Sequence, residues 1–401
     1  MIGRTAALPL HLTSATMLRV SAEGVATALV LTVEARTGNA ATAGYLQTAM
    51  TLPYVLSGPI IGNALDRVRR PRSVAVVLAA CYAFATALLL VMAGSSPLLL
   101  ALCVAAVIGC TEPIVVALTS LLPRFVPAGR LSRAYGLEAS SYNLAGIAGP
   151  GLAAGLAALA GGQYAGTAVI AVGVVGLLTL PLLPFPGPDV KSAGGTETAS
   201  PDGPRWTSVI TGGLVVLAEG RVLRALTVAT TLAWTGFGGV AVTAVLLAEH
   251  IGAPPSAGGR LLVALAVGSL IGSLASSRWL TPKHAEPVML AGLVAFGAAL
   301  AALAVTPSMP WATAAFVAAG IAEGPVFAAT LMLRQRESPP DRLGQVNTTA
   351  GSLKIGASAV GAALTAAAAD AIGPVGLVLA IAAFQFAGAA AGLVLLRATS
   401  A

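Results

Sequence analysis

The sequence predicts an all-α membrane protein: twelve transmembrane helices in two six-helix bundles, with both termini cytoplasmic. Three observations predict it. First, 57% of the 401 residues are hydrophobic and only 9% charged, with a mean hydropathy of +0.88, whereas soluble domains carry about 25% charged residues. Second, apolar runs of about 20 residues, the length a spanning helix needs, recur twelve times with short punctuated gaps. Third, a hydrophilic stretch divides six runs from six, and the second six echo the first.

The first run, 9–33, follows a start too short and too weakly charged for a cleaved signal, and reads as an uncleaved anchor. Runs 41–65 and 73–93 are joined by a tight turn holding Arg67, Arg69, Arg70 and Arg72, four arginines in six residues. Positive charge in short loops marks the cytoplasm, so this turn orients every other helix. Runs 98–121, 134–160 and 164–184 complete an N-terminal bundle over residues 1–184. Residues 185–221 form a cytoplasmic linker: a Ser-, Thr-, Gly- and Pro-rich stretch, then an amphipathic lead-in on the membrane face. Runs 222–248, 255–279, 286–306, 310–333, 345–370 and 374–397 make the C-terminal bundle of residues 222–401. Gly38-Asn39, Gly161-Gly162, Pro339-Pro340 and Gly373-Pro374 are among the breaks between runs.

Charge placement agrees with this topology. Of the 22 Lys and Arg residues, 18 fall in predicted cytoplasmic segments, two (Arg36 and Arg260) outside, and two (Arg19 and Lys354) within runs. The net charge of +7 therefore reports topology and contact with anionic lipid rather than nucleic-acid binding. Cys81, Cys103 and Cys110 lie in apolar runs without CxxC or Cys/His spacing, which argues against a metal site or disulfide. No Gly-Lys-Ser/Thr phosphate loop occurs, and no nucleophile, metal or cofactor constellation is visible, so the chain is not expected to be an enzyme or to use ATP. A 19-to-3 excess of Arg over Lys, with abundant Ala, points to a GC-rich bacterial genome and hence to a bacterial plasma membrane.

The two halves repeat in detail. Gly109-Cys-Thr-Glu112-Pro113 is echoed by Gly320-Ile-Ala-Glu323-Gly-Pro325, Arg124 by Arg336, and Arg130-Leu131 by Arg342-Leu343, at offsets of 211 or 212 residues. The turn after the eighth run keeps Arg278 and Lys283 but lacks an Asp-Arg pair.

Gly62-x-x-x-Asp66-Arg67-x-Arg69-Arg70 resembles the signature loop of the major facilitator superfamily, and the six-plus-six repeat with its central linker resembles that fold over the whole chain. The resemblance implies that Asp66 sits by the start of helix eleven and locks the cytoplasmic side, with Arg67 and Arg70 as its basic partners. Gly146-Ile-Ala-Gly149-Pro150-Gly151-Leu-Ala-Ala-Gly155 is similar to the Gly-Pro run of the family's drug:proton antiporters, although Ala145 and Ala154 stand where glycines are expected. An arginine such exporters carry a turn before Gly109 is missing. By this resemblance the protein is a secondary transporter, monomeric and without cofactor. It would exchange protons for an outbound small amphipathic molecule by alternating access. Import on the same fold, by proton symport or facilitated diffusion, is the alternative; a non-transporting receptor is a more distant one.

Ionisable residues inside the runs are the sharpest candidates. Each costs about 2.5–3.5 kcal/mol at a helix centre, so each faces protein or a water-filled cavity. Arg19 and Glu112 lie at similar depth in one half, and Lys354 and Glu323 in the other, which predicts two ion pairs. Glu23, one turn above Arg19, is the first candidate for proton coupling, followed by Glu112 and Glu323. The competing reading is a structural triad of Arg19, Glu23 and Glu112 that never titrates. Glu138, near a cytoplasmic end, reads as a gate contact. Gln47, Asn143, Tyr142, Trp234, Phe237 and Gln385 are candidate cavity residues, Trp234 and Phe237 forming an aromatic wall.

Overall fold

A computed structural model describes residues 7–38, 41–68, 71–183, 206–254 and 257–398. Among these residues every regular element is helical, as hydrocarbon demands of a chain that must satisfy its backbone polar groups internally. The helices are α1 (Ala7–Thr37), α2 (Ala41–Arg67), α3 (Pro71–Met92), α4 (Leu98–Phe125), α5 (Ala128–Ala160), α6 (Gly162–Leu182), α7 (Trp206–Glu219), α8 (Arg221–His250), α9 (Ala257–Trp279), α10 (Pro282–Val305), α11 (Met309–Glu337) and α12 (Leu343–Arg397). Ten of them are long and apolar enough to cross a membrane. The exceptions are α2, made more polar by Gln47, Thr48, Thr51, Ser57 and Asn63, and α7, whose 14 residues are too few. The residues of the predicted linker before Trp206, and Arg70 of the basic turn, lie outside the described residues.

Interruptions fall where the chemistry places them. As one straight rod, the 55 residues of α12 would run about 80 Å at 1.5 Å per residue, far beyond a hydrocarbon core of about 30 Å. The backbone leaves the helix at Gly373, with φ 64° and ψ 178°. Glycine takes that conformation without steric cost, and Pro374 behind it has no N–H to continue the ladder. In α4 the break is Glu112-Pro113, after which the helix tightens to a 3-10 stretch at Leu118–Leu121. Pro113 cannot donate to the Gly109 carbonyl; instead the Ser57 hydroxyl of α2 donates to it at 3.1 Å. An interhelical bond thus replaces the missing intrahelical one. At the far end of α3, Arg36 Nη1 donates to the Leu90, Val91 and Ala93 carbonyls at 2.8–3.2 Å, where a helix C-terminus attracts a cation.

The chain packs as two compact units. The first comprises residues up to Leu131, Ala148–Val215 and Pro339–Ser352. It holds two apolar clusters, one built on Val25, Leu29, Leu46, Tyr82, Leu89, Ile108 and Val169, the other on Leu18, Ile61, Leu65, Ile114, Leu118 and Leu180. Along α1 the clusters change over between Leu18 and Val25, and along α4 between Ile108 and Ile114. Those intervals contain Arg19, Glu23 and Glu112. In lipid, helices associate by close packing of small residues rather than by the hydrophobic effect, and α1 meets α5 in that way: a Cβ on Gly149 would lie 2.6 Å from Gly24 N and Val20 O.

The second unit comprises Ser132–Ile147, Val216–Ser338 and Leu353–Ala401, around Val240, Leu261, Phe296, Phe316 and Ile381. Here α8 meets α12 equally closely: a Cβ on Gly361 would lie 1.6 Å from Thr235 O. Gly361 and Thr235 stand 212 and 211 residues beyond Gly149 and Gly24, so the repeat extends to the helix crossings.

Candidate functional site

In the first unit the polar layer is assembled from α1, α3 and α4. Arg19 is only 1% exposed; its Nη2 donates to the Thr119 hydroxyl at 3.1 Å and the Val115 carbonyl at 3.4 Å. Both acceptors lie on α4 shortly after the Glu112-Pro113 break. Glu23, on the next turn of α1, is exposed, whereas Glu112 is half-buried. The charge of Glu23 acts on Glu112, and both act on Tyr82, whose buried hydroxyl lies beside Thr86 and Ser21. Tyr82 escaped the sequence reading; the signal available was its hydroxyl in an otherwise apolar run.

In the second unit α8, α10, α11 and α12 enclose a narrow cavity of about 20 Å³, counted as the volume open to the centre of a water molecule. That is room for about one water, so a solute could enter only as the walls move. Glu323, Lys354, Trp234, Phe237, Phe327 and Gln385 line it, with Thr230 and Thr330. Ser269 of α9 donates its hydroxyl to Glu323 Oε2. The Lys354 ammonium lies 3.8 Å from the ring centroid of Trp234 and 4.4 Å from that of Phe327, and its charge acts on Glu323. Phe237 packs on Trp234 with centroids 4.7 Å apart, and Tyr142 meets Phe327 edge-on at 5.2 Å. Gln385 is 1% exposed; its Nε2 donates to the Ala233 carbonyl at 2.8 Å. Ser269 and Phe327 were not singled out in the sequence, although Phe327 follows Glu323 by one helical turn.

These two places occupy the same register of the repeat. Arg19, Glu23, Tyr82, Glu112 and Thr119 correspond, 211 residues on, to Thr230, Trp234, Leu293, Glu323 and Thr330, all of which line the cavity. Asn143 corresponds likewise to Lys354. One carboxylate, Glu112 or Glu323, is kept in both copies. The cation moves from the first helix of the repeat (Arg19) to the fifth (Lys354), and the second carboxylate, Glu23, is exchanged for the indole of Trp234.

At the end of α2, beyond the predicted run 41–65, Asp66 accepts the backbone N–H groups of Gly344 at 2.9 Å and Gln345 at 2.8 Å. These are the orphan donors of the first turn of α12, where the helix dipole also favours an anion. Burial pushes the Asp66 carboxyl up from 3.8 to about 6, against the lowering effect of the two N–H bonds and of the Arg124 charge. One turn earlier Gly62 makes the approach possible, a Cβ there falling 2.4 Å from Gly344 O. Arg67 is exposed. The Gln345 side chain in turn donates to the Val209 carbonyl of α7 at 2.6 Å.

The remaining candidates are dispersed. Of the Gly-Pro run in α5, Gly149 is the packed member, while a Cβ on Gly146 or Gly155 would meet nothing within 4 Å. Asn143 Nδ2 donates to the Ser273 hydroxyl at 3.2 Å, and Gln47 is half-buried on α2. Glu138 is fully buried, with its charge acting on Tyr135. Arg334, which reads as a loop residue in the sequence, is 4% exposed because α11 continues to Glu337. Among the described residues no group of three or more His, Cys, Asp or Glu side chains is placed to hold a metal ion.

The comparisons with known proteins agree with this architecture. The chain is 27% identical over 362 residues to an uncharacterized MFS-type transporter, y4rN, of Sinorhizobium fredii, covering 88% of this chain and 86% of that protein. Its fold is similar to the human organic anion transporter MFSD10 (TETRAN), with a TM-score of 0.80 at 15% identity, over 98% of this chain and 100% of that one. It is also similar to a bacterial homologue of the iron transporter ferroportin solved in an outward-facing state, with a TM-score of 0.69 at 16% identity and 98% of both chains covered. The sequence profile of the Major Facilitator Superfamily matches residues 12–227 and 225–401, nearly the whole chain, and the protein therefore belongs to that superfamily of membrane transporters.

Proposed function

We propose that the protein is a proton-driven exporter of a small amphipathic molecule, working by alternating access of two six-helix bundles with both termini in the cytoplasm. The twelve spans of this reading are the ten long apolar helices, α2, and the second rod that Gly373 creates within α12. The observation that carries the coupling is the neighbourhood of Glu23 and Glu112, where the two apolar clusters of the first unit change over. A proton bound between two carboxylates removes their mutual repulsion, so this place changes its charge on taking up and releasing one proton. The exposure of Glu23 gives that proton a route. The solute would bind on the polar and aromatic groups around Glu323 once the cavity widens. Export is supported by the Gly-Pro run of α5. The solutes named for the structural neighbours, an organic anion and iron, differ so much that the fold selects neither.

The test is efflux of a panel of fluorescent amphipathic compounds from cells producing wild type, Glu23→Gln or Glu112→Gln. Efflux should stop when a protonophore collapses the gradient. It should fall by roughly 10²-fold or more, the scale of a lost proton-transfer group, in Glu112→Gln. Efflux that continues without a gradient, or is indifferent to both substitutions, would remove proton coupling from this pair.

A further inference from the structure

The chemistry lining the cavity of the second unit is almost entirely that of acceptors. Glu323 contributes a carboxylate. Gln385, nearly fully buried, has an Oε1 without a hydrogen-bond partner. Its orientation follows from Nε2 donating to the Ala233 carbonyl, since the flipped amide would set two acceptors against each other. Thr230 and Thr330 donate their hydroxyl hydrogens to the backbone, to Leu226 O at 2.8 Å and Val326 O at 2.9 Å, so only their lone pairs are left for the cavity. Trp234 and Phe327 turn their faces, the negative side of the ring quadrupole, toward the same point. The donors in the lining are the Trp234 indole N–H and Lys354, whose ammonium already lies over both rings.

We infer that this cavity is a site for an organic ammonium ion carrying an apolar or aromatic body, and that the Lys354 ammonium is its built-in occupant, displaced when the solute binds. The inference rests on the transport reading above and specifies its solute. A protonated amine reproduces what Lys354 supplies, a compact cation over aromatic faces beside a carboxylate. It adds N–H donors for Gln385 Oε1, which Lys354 leaves unmatched. Its apolar body lies along Phe237, Leu293 and Phe296, which complete the lining. Release of the solute lets Lys354 return, so the emptied site never exposes Glu323 without a counter-charge. The repeat gives this a second footing: the position that carries Glu23 in the first copy carries Trp234 in the second, a proton-binding group in one and a cation-binding face in the other.

The test is equilibrium binding to the purified protein in detergent, without any gradient. Two probes share one ring and one two-carbon arm: phenethylammonium and hydrocinnamate. Calorimetry or ligand-observed NMR should show phenethylammonium binding at least about tenfold more tightly than the carboxylate. Lys354→Met, which removes the internal competitor, should tighten the ammonium severalfold. Glu323→Gln should weaken it about tenfold or more, the order expected when one partner of a buried charge contact is lost. Preference for hydrocinnamate, abolished by Lys354→Met, would overturn the inference and make Lys354 the receptor of an anion; binding of neither probe would overturn it as well. The wild-type comparison decides the matter even where a variant fails to fold, and Gln385→Leu, which leaves every charge in place, should weaken the ammonium alone. Failure here leaves proton-driven efflux untouched. Ammonium binding without gradient-dependent efflux would remove the coupling reading and leave this site standing.

Discussion

Asp66 shows how a single side chain makes a helix junction sensitive to pH. Its carboxyl is held near pH 6 when buried against α12, against 3.8 in water. The sign follows from the raised value: the joined state binds the proton more tightly than the parted one. Protonation therefore favours the junction, and that advantage is complete below about pH 4 and lost as pH rises through 6. Two pK units correspond to at most about 3 kcal/mol. Thermal stability of the purified protein between pH 4 and 7 should fall with rising pH in wild type. In Asp66→Asn, which keeps an acceptor but cannot ionise, this slope should flatten; an unchanged slope would assign it elsewhere. At this scale the sequence offers candidate residues but not the full set of groups that surround them. The cost of burying charge singled out Arg19, Glu23, Glu112, Glu323 and Lys354. That Arg19 also reaches a carbonyl and a hydroxyl of α4, and that the Lys354 ammonium also lies over two rings, depends on helix rotation, which hydropathy does not encode.

Among the elements, the Gly-Pro run of α5 separates two uses of glycine that look alike in the sequence. Gly149 touches α1, whereas Gly146 and Gly155 face open space. Gly149→Val should lower unfolding free energy by about 1–3 kcal/mol or more, the usual cost of overpacking, while Gly146→Ala should stay within about 0.5 kcal/mol. Gly361→Ala should behave like Gly149→Val, since it occupies the same crossing in the second copy. Thermal unfolding in detergent distinguishes these outcomes, and equal effects at Gly146 and Gly149 would refute the assignment. The break at Gly373-Pro374 was legible, whereas that at Glu112-Pro113 fell inside the predicted run 98–121 and was read only as a repeated motif, although Pro113 carries the chemistry of a break. The extent of α11 was not, because a polar Leu-Arg-Gln-Arg-Glu tail reads as loop until neighbouring helices cover Arg334.

For the molecule as a whole, the repeat is the feature most fully written in the sequence. The offset that aligns Glu112 with Glu323 also aligns two helix crossings and the linings of two polar sites. What the repeat could not reveal is their divergence, which lies in substitutions at matched positions, Glu23 to Trp234 and Asn143 to Lys354. The proposed orientation of the chain rests on charge placement and is directly measurable. In a variant with Cys81, Cys103 and Cys110 replaced by Ala, a single cysteine at Val68 or Asp341 should react with an impermeant maleimide only after the cells are opened. One at Ser95 or Gly252 should react in intact cells. The reverse pattern would invert the topology.

Ser57 gives the first unit a mechanical property. The same helix bears Asp66 at one end and, nine residues back or about 13 Å along the axis, a hydroxyl fastened to Gly109, three residues from Glu112. α2 therefore joins two places: its tip accepts from the first turn of α12, and Ser57 along its length bonds to the break in α4. A change at the tip is then expected to reach the carboxylate through Ser57, and Ser57→Ala should disconnect the two, so that Asp66→Asn no longer alters the pH dependence of proton uptake. A persisting effect would show that the change travels by another path.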